Sequence, residues 1–124
     1  MELRVFASGS SGNCLLLSSG STHILIDAGI SKRRIEQSLA QSGLSMREIG
    51  GVLITHEHSD HISGLKMLTK YYDLPVFAPR TVASRLRGCL PEAEPYLRVI
   101  PVNEPFEIGG VSVTAFHTDR KSVV

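Results

Sequence analysis

The chain has 124 residues, of which 42% are apolar and 20% charged, a composition typical of a folded globular domain. Thirteen Lys and Arg against twelve Asp and Glu leave a formal net charge of +1, which is too balanced to indicate a nucleic-acid or membrane surface. Cys14 and Cys89 lie far apart, which excludes a disulfide-stapled framework. No apolar run reaches the roughly 18 residues of a membrane helix, and no signal-peptide pattern follows Met1. We therefore expect one reduced, cytoplasmic domain.

Three short apolar runs open the chain, at 3–7, 14–17 and 23–26. Pieces rich in Gly and Ser separate them, so the pattern predicts three strands joined by turns. Apolar residues then recur four apart between a capping residue, Ser31, and a stop residue, Gly43. This change of period predicts a surface helix of about three turns.

The rest of the chain alternates between the two periods. It predicts strands at 52–55, 76–78 and 99–102, helices at 62–72 and 81–87, and a hairpin of 106–108 with 111–116. Gly88 is expected to close the second of these helices, and Gly109-Gly110 to form the hairpin turn. Strands that alternate with helices indicate a mixed α/β layer structure.

Three of the five histidines fall within the run His-Glu-His-Ser-Asp-His at 56–61, directly after a predicted strand. Side chains alternate near a strand end, so His56 and His58 project to the same side. Asp60 and His61 can fold back over that point where the chain turns. Such nitrogen and oxygen donors suit Zn²⁺, and also Mn²⁺ or Fe²⁺. Since four ligands from one loop cannot easily reach one tetrahedral ion, we predict two metals, His56 and His58 binding one, Asp60 and His61 the other.

The segment Thr55–His61 resembles the HxHxDH signature of the metallo-β-lactamase-fold hydrolases, and Ile24–Gly29 resembles that superfamily's preceding strand and turn. More narrowly, Ala-Ser-Gly-Ser-Ser-Gly-Asn at 7–13 resembles the opening of the YycJ/WalJ-like branch, a bacterial group associated with DNA exonuclease activity. The resemblance extends from Leu3 to Phe116. It implies an α/β (α+β) fold, the N-terminal half of an αββα sandwich.

By that resemblance His56, His58, Asp60 and His61 bind two divalent metal ions, with zinc favoured and manganese or iron as alternatives. Asp60 would also orient or deprotonate the attacking water. Asp27 would support the loop from behind the ligands, or be an ordinary turn residue. The reaction would be attack of a metal-bound hydroxide on a phosphodiester of DNA. The alternatives are another hydrolase of the superfamily, acting on a thioester, lactone or β-lactam, and a non-catalytic metal-binding fragment.

Other residues carry weaker signals. The loop 8–13 predicts either a backbone-amide nest for a phosphate or a plain hairpin turn. Basic clusters at 32–34 and 80–87 predict either steering of a nucleic-acid backbone or ordinary solvated helix faces. Cys14 is expected to be a small buried hydrophobe. His23 is expected to be a surface or core histidine rather than a ligand.

The end of the chain departs from the family's pattern. Later strands should supply further ligands, and His117 is the candidate here, although the branch's register places that ligand near Arg120. The last six residues, Asp-Arg-Lys-Ser-Val-Val, resemble a translated sequencing adapter, so we expect a native N-terminal part at 1–118 and a non-native tail at 119–124. A half-sandwich exposes one face of its sheet, so we expect marginal stability and little activity from this chain alone.

Overall fold

A six-stranded sheet organises the part of the chain described by this computed structural model, residues 1–117 and 122–123. In spatial order its strands are β1 (Glu2–Ala7), β2 (Cys14–Ser19), β3 (Thr22–Ile26), β4 (Ile49–Leu53), β5 (Val76–Pro79) and β6 (Leu97–Ile100). The first three strands pair antiparallel, and β3 to β6 pair parallel. The carboxyl ends of the parallel strands therefore meet at one edge of the sheet.

Helices connect the parallel strands. They are α1 (Lys32–Gln41), α2 (Ser59–Ile62), α3 (Leu65–Tyr71) and α4 (Arg80–Cys89), with 3-10 turns at Met46–Glu48 and Pro91–Tyr96. The hydroxyl of Ser31 accepts the backbone N–H of Arg34, which caps α1 where the sequence predicts its start. Among the described residues, no helix combines the length and the apolar character needed to cross a bilayer.

The larger core lies between these helices and one face of the sheet. A row of buried side chains crosses five paired strands: Leu16, Leu25, Val52, Val76 and Leu97. Helix residues from the same cluster pack against it: Ile35, Leu39, Leu65, Leu68 and Leu86. Since each fully buried Leu or Ile contributes about 1.5–3 kcal/mol relative to an exposed one, this layer fixes the sheet on which the site is built.

A hairpin covers part of the opposite face. The remaining strands are β7 (Pro105–Ile108), β8 (Val111–Thr114), β9 (Phe116–His117) and β10 (Ser122–Val123). The β7–β8 pair turns at Gly109-Gly110, as predicted, and its apolar side chains bury Ile24, Leu53 and Ile100 of the main sheet. The face expected to be bare is thus covered over β3, β4 and β6.

The same face stays open at the first strand. Leu3 pairs with Leu17, which pairs with Ile24, so these side chains share one face. Leu3 and Val5 are nevertheless 57% and 62% exposed. The expected exposure of this sheet face is therefore found at the β1 end.

Three predicted boundaries differ from the structure. The strand predicted at 52–55 spans Ile49–Leu53 and so includes Gly50 and Gly51. Position 51 has no room for a side chain, because a Cβ there would lie 2.5 Å from the ring of Phe77. Gly88 does not close α4, which continues one residue further to Cys89. The strand predicted at 99–102 is Leu97–Ile100.

The helix predicted at 62–72 is divided. It breaks into α2 and α3 at Gly64, whose N–H donates to the carbonyl of Ala28 at 2.8 Å. A side chain at Gly64 would overlap the carbonyl oxygen of Ile30. Of the tail predicted at 119–124, the structure describes Ser122–Val123, which form a strand with β9. The predicted boundary after residue 118 lies outside the described residues.

The two cysteines differ in their accessibility. Burial, together with the negative charge of Asp27, raises the pKa of the Cys14 thiol to about 12, whereas Cys89 is exposed. A neutral, buried thiol is a poor nucleophile. Near neutral pH we expect Ellman's reagent to titrate Cys89 alone in the native protein, and both thiols after unfolding in guanidinium chloride. Rapid reaction of both thiols before unfolding would contradict the burial of Cys14.

Candidate metal centre

The loop between β4 and α2 carries the predicted ligands. The ring centroids of His56 and His61 lie 4.7 Å apart, and that of His58 lies 5.9 Å from the first and 6.5 Å from the second. The carboxylate Oδ2 of Asp60 lies 3.7 Å from Nε2 of His61. The structure therefore brings three imidazoles and one carboxylate to one place at the carboxyl end of β4.

The described side chains form no group of three or more His, Cys, Asp or Glu that is already arranged to hold a metal ion. The cluster is a set of neighbouring donors rather than a closed coordination sphere. Its chemistry, three imidazoles with a carboxylate, nevertheless fits zinc and similar divalent ions.

Asp27 connects the end of β3 to this loop. Its Oδ1 accepts the N–H of Thr55 at 2.8 Å, and its Oδ2 accepts the Thr55 hydroxyl and the Nδ1–H of His61, both at 2.7 Å. A carboxylate only accepts hydrogen bonds, so Nδ1 of His61 must carry the proton. Nε2 of His61 then keeps its lone pair, which is the state that a metal ligand requires.

Thr55 fixes the tautomer of His56 in the same way. Its hydroxyl proton is already donated to Asp27, so its oxygen accepts the Nδ1–H of His56 at 2.9 Å. Nε2 of His56, a buried atom, is thereby left as the basic nitrogen. One buried carboxylate therefore sets the tautomers of two candidate ligands, directly and through a threonine.

The backbone of Asp27 is unusual for a residue with a side chain. Its φ is +63°, in the left-handed region that non-glycine residues enter rarely. Its N–H donates to the carbonyl of Leu53 at 2.7 Å, and the residue as a whole is 5% exposed. Such a conformation costs about 1–3 kcal/mol and persists only where its surroundings impose it. These contacts are more than a turn-forming Asp needs.

Backbone hydrogen bonds join the loop to two earlier segments. The N–H of Asn13 donates to the carbonyl of Asp60 at 2.7 Å, and the N–H of Gly29 to the carbonyl of Asn13 at 2.8 Å. The N–H of Ala28 donates to the carbonyl of His61 at 2.8 Å. Backbone hydrogen bonds from residues 13 and 28 therefore hold the loop that carries the candidate ligands, and residue 29 holds residue 13.

The loop 8–13 resolves into a turn. The N–H of Gly12 donates to the carbonyl of Gly9, and the N–H of Gly9 to the side-chain oxygen of Asn13. The N–H of Asn13 donates to the carbonyl of Asp60. All three of these N–H groups therefore already have hydrogen-bond acceptors within the protein. Of the two interpretations, the structure favours the hairpin turn over the phosphate nest.

Three of the six Lys and Arg residues in the predicted basic clusters contact carboxylates. Arg85 contacts Glu57 at 3.0 Å, and Arg87 contacts Glu94 at 2.8 Å. Lys32 contacts the carboxylate of the residue one turn later in α1 at 3.2 Å. Burial opposes ionisation of Glu57, but hydrogen bonds from its own backbone and from Arg85 outweigh it and lower its pKa. These pairs favour solvated helix faces over a nucleic-acid surface.

The remaining histidines lie apart from the loop or outside the description. Nδ1 of His23 lies 2.7 Å from the hydroxyl of Ser18 across β2 and β3, so His23 is not part of the cluster. The side chain of His117, the late candidate ligand, and Arg120 lie outside the described residues.

Residues 7–121 match the metallo-beta-lactamase superfamily. The chain belongs to that superfamily. Exodeoxyribonuclease YycJ from Bacillus anthracis is 35% identical over 119 residues, which cover 94% of this chain and 44% of the relative. A crystal structure of a subclass B3 metallo-β-lactamase from a soil metagenome library is 27% identical with a TM-score of 0.71, covering 87% of this chain and 47% of that one.

Zn²⁺-bound PqqB from Methylobacterium extorquens shares the fold, with a TM-score of 0.75 at 20% identity, over 94% of this chain and 52% of that one. The chain spans about half the length, or less, of these superfamily members. The comparisons confirm the superfamily and the mixed α/β fold predicted from the sequence.

Two supporting residues of this superfamily member escaped the sequence analysis. Asn13 and Thr55 lie in the quoted motifs, but the sequence assigns neither of them a partner. Thr55 precedes the first histidine and bonds Asp27, 28 positions earlier. Asn13 bonds Asp60, 47 positions later. The sequence shows an asparagine in a Gly-Ser loop, which is typical of a turn, but it does not show that this asparagine contacts Asp60.

Replacing Asp27 with Asn is expected to weaken zinc binding by about 10–100-fold, as loss of a supporting residue behind metal ligands typically does. The amide would place N–H donors where Thr55 and His61 need acceptors. Asn tolerates the left-handed backbone, so little strain is added. Competition against a chromophoric chelator measures the affinity, and Asp73→Asn, at an exposed position, is the matched control. Equal affinities of the two variants would contradict the role of Asp27.

Proposed function

We propose that this chain carries the first metal-binding motif of a metal-dependent phosphodiesterase that degrades DNA as an exonuclease. The observation that carries the proposal is the hydrogen-bonded network in which Asp27 and Thr55 hold His61 and His56 with their Nε2 atoms basic. The DNA substrate is supported by the similarity to an exodeoxyribonuclease of the same superfamily. A cytoplasmic location belongs to the same proposal.

Each residue of the loop has a proposed part. His56 and His58 would bind one divalent ion, and Asp60 and His61 a second, with zinc favoured over manganese or iron. The ions would supply Lewis acidity toward the charge that develops on the phosphate, and a more acidic water molecule. Asp60 would orient that water and accept its proton. Asp27 holds the imidazole of His61 in place throughout.

Two other functions remain to be separated from this one. A hydrolase for a β-lactam, thioester or lactone is supported by the likeness to a subclass B3 metallo-β-lactamase. A non-catalytic metal-binding fragment is supported by the share of its relatives that this chain spans. DNA hydrolysis is favoured because the exodeoxyribonuclease has the higher identity over the longer part of this chain.

The test compares substrates and counts metal ions. Labelled duplex DNA, a chromogenic β-lactam, a thioester and a lactone are incubated with Zn²⁺ or Mn²⁺ and either this chain or a longer polypeptide that contains it. From the longer polypeptide we expect release of mononucleotides and two ions per chain, and from this chain alone little turnover. Turnover of another substrate with intact DNA would support the other hydrolases, and one ion or none without turnover would support the fragment. His58→Ala should abolish activity, and His23→Ala, outside the cluster, should not.

A further inference from the structure

We propose that Asn13 is a positioning residue that orients the carboxylate of Asp60, an inference that rests on the proposed function of Asp60. The Nδ2 atom of Asn13 lies 3.2 Å from Oδ2 of Asp60 and 3.1 Å from its carbonyl oxygen. Among the contacts described for these residues, this amide is the one neutral donor on the Asp60 carboxylate. It therefore decides how that carboxylate is turned.

The orientation of the amide itself is determined by its neighbours. Nδ2 faces three oxygen acceptors: two from Asp60 and the carbonyl of Gly9 at 2.9 Å. Oδ1 faces a donor, the N–H of Gly9 at 3.2 Å. A flipped amide would place an oxygen against three oxygens and a nitrogen against an N–H. The side chain of Asn13 thus presents its Nδ2 amino group, rather than its oxygen, to Asp60.

This hydrogen bond restrains the orientation of the Asp60 carboxylate. Oδ2 of Asp60 accepts the amide of Asn13, so rotation about the Cβ–Cγ bond is restrained. Oδ2 is also the oxygen that lies 3.7 Å from Nε2 of His61, so the amide of Asn13 would fix the carboxylate oxygen nearest the neighbouring candidate ligand. Without the amide, the carboxylate can rotate and its productive orientation becomes one of several.

Substitutions at Asn13 separate the side chain from the backbone. The backbone N–H of Asn13 donates to the carbonyl of Asp60, and its carbonyl accepts from Gly29. Any side chain at position 13 keeps these bonds. Asn13→Asp also retains an acceptor for the N–H of Gly9, although it loses the donor to the carbonyl of Gly9. It removes the donor and sets a negative charge beside Asp60.

The experiment measures Zn²⁺ affinity by chelator competition, and the d–d absorption of the Co²⁺-loaded chain, for the wild type, Asn13→Ala and Asn13→Asp. We expect the affinity to fall about tenfold in Asn13→Ala, and further in Asn13→Asp because two carboxylates repel at this distance. The Co²⁺ absorption should change in both variants. Gln41→Ala and Gln41→Glu make the same changes to an exposed amide side chain in α1; they are matched controls and should behave as the wild type.

A double-mutant cycle with Asp60→Asn tests whether Asn13 acts through Asp60. In the Asp60→Asn background, Asn13→Ala should cause no further loss of affinity. A wild-type chain that binds metal, with Asn13 variants equal to the Gln41 variants, would overturn the role of Asn13 alone. An undiminished loss in the Asp60→Asn background would also overturn it, since Asn13 would then act on the fold. A wild-type chain that binds no metal would overturn the proposed function together with this inference.

Discussion

The Asp60→Asn protein is expected to lose DNA hydrolysis by about 10²–10⁴-fold, the range typical for removal of a general base, while it keeps its fold. Asparagine has the shape of aspartate but cannot accept the proton of the attacking water, and it lacks the charge that holds a divalent ion. The backbone carbonyl of residue 60 still accepts from Asn13. The loop should therefore stay in place while its chemistry is lost.

The measurement combines rates with metal content. The kcat for mononucleotide release is compared with the number of bound ions and with the circular dichroism spectrum. Asp73→Asn has the same change of charge at an exposed position and should retain full activity. Full activity with two bound ions in Asp60→Asn would show that Asp60 is neither ligand nor base.

Gly29→Ala is expected to have the largest effect on the fold of the site. A Cβ at this position would overlap the carbonyl oxygen of Asp60 and lie 2.6 Å from the backbone nitrogen of Asn13. Both obstacles are backbone atoms, so neither can rotate away. The two segments that hold the ligand loop must separate, and forced overpacking of this kind costs about 1–3 kcal/mol or more.

Thermal unfolding and zinc affinity together test this prediction. A loss of that size corresponds to a fall in Tm of about 4 °C for each kcal/mol, and zinc binding should weaken in parallel because Asp60 is displaced. Gly88→Ala is the matched control: it lies in α4 with no atom within 4 Å of the added Cβ. Alanine is the better helix former, so Gly88→Ala should raise Tm slightly. Equal Tm values for the two variants would contradict the steric argument.

The elements that the sequence predicts best are those with a clean local pattern. Helix α1 starts at its predicted cap, Ser31, and the hairpin turns at Gly109-Gly110. The predictions fail at glycines whose structural role depends on residues that are distant in the sequence. Gly51 lies inside β4 because the ring of Phe77 leaves no room for a side chain, and Gly64 breaks a helix because it abuts the carbonyl of Ile30.

The candidate site divides in the same way. The run 56–61 is a local pattern of metal-binding residue types, so the sequence alone predicts the candidate ligands. Thr55 and Asn13 could not be given roles, since their partners are Asp27 and Asp60, many positions away along the chain. Hydrogen bonds between distant segments leave no periodicity in a single sequence.

The dispersal of these supports limits how the motif can be moved between proteins. The ligand run 56–61 is contiguous, but the groups that shape it come from Asn13, Asp27 and Gly29. A grafted hexapeptide would carry the histidines and leave behind the acceptor that selects their tautomers. The smallest transferable unit is the whole stretch from Gly9 to Gly64, which includes the paired strands β2, β3 and β4.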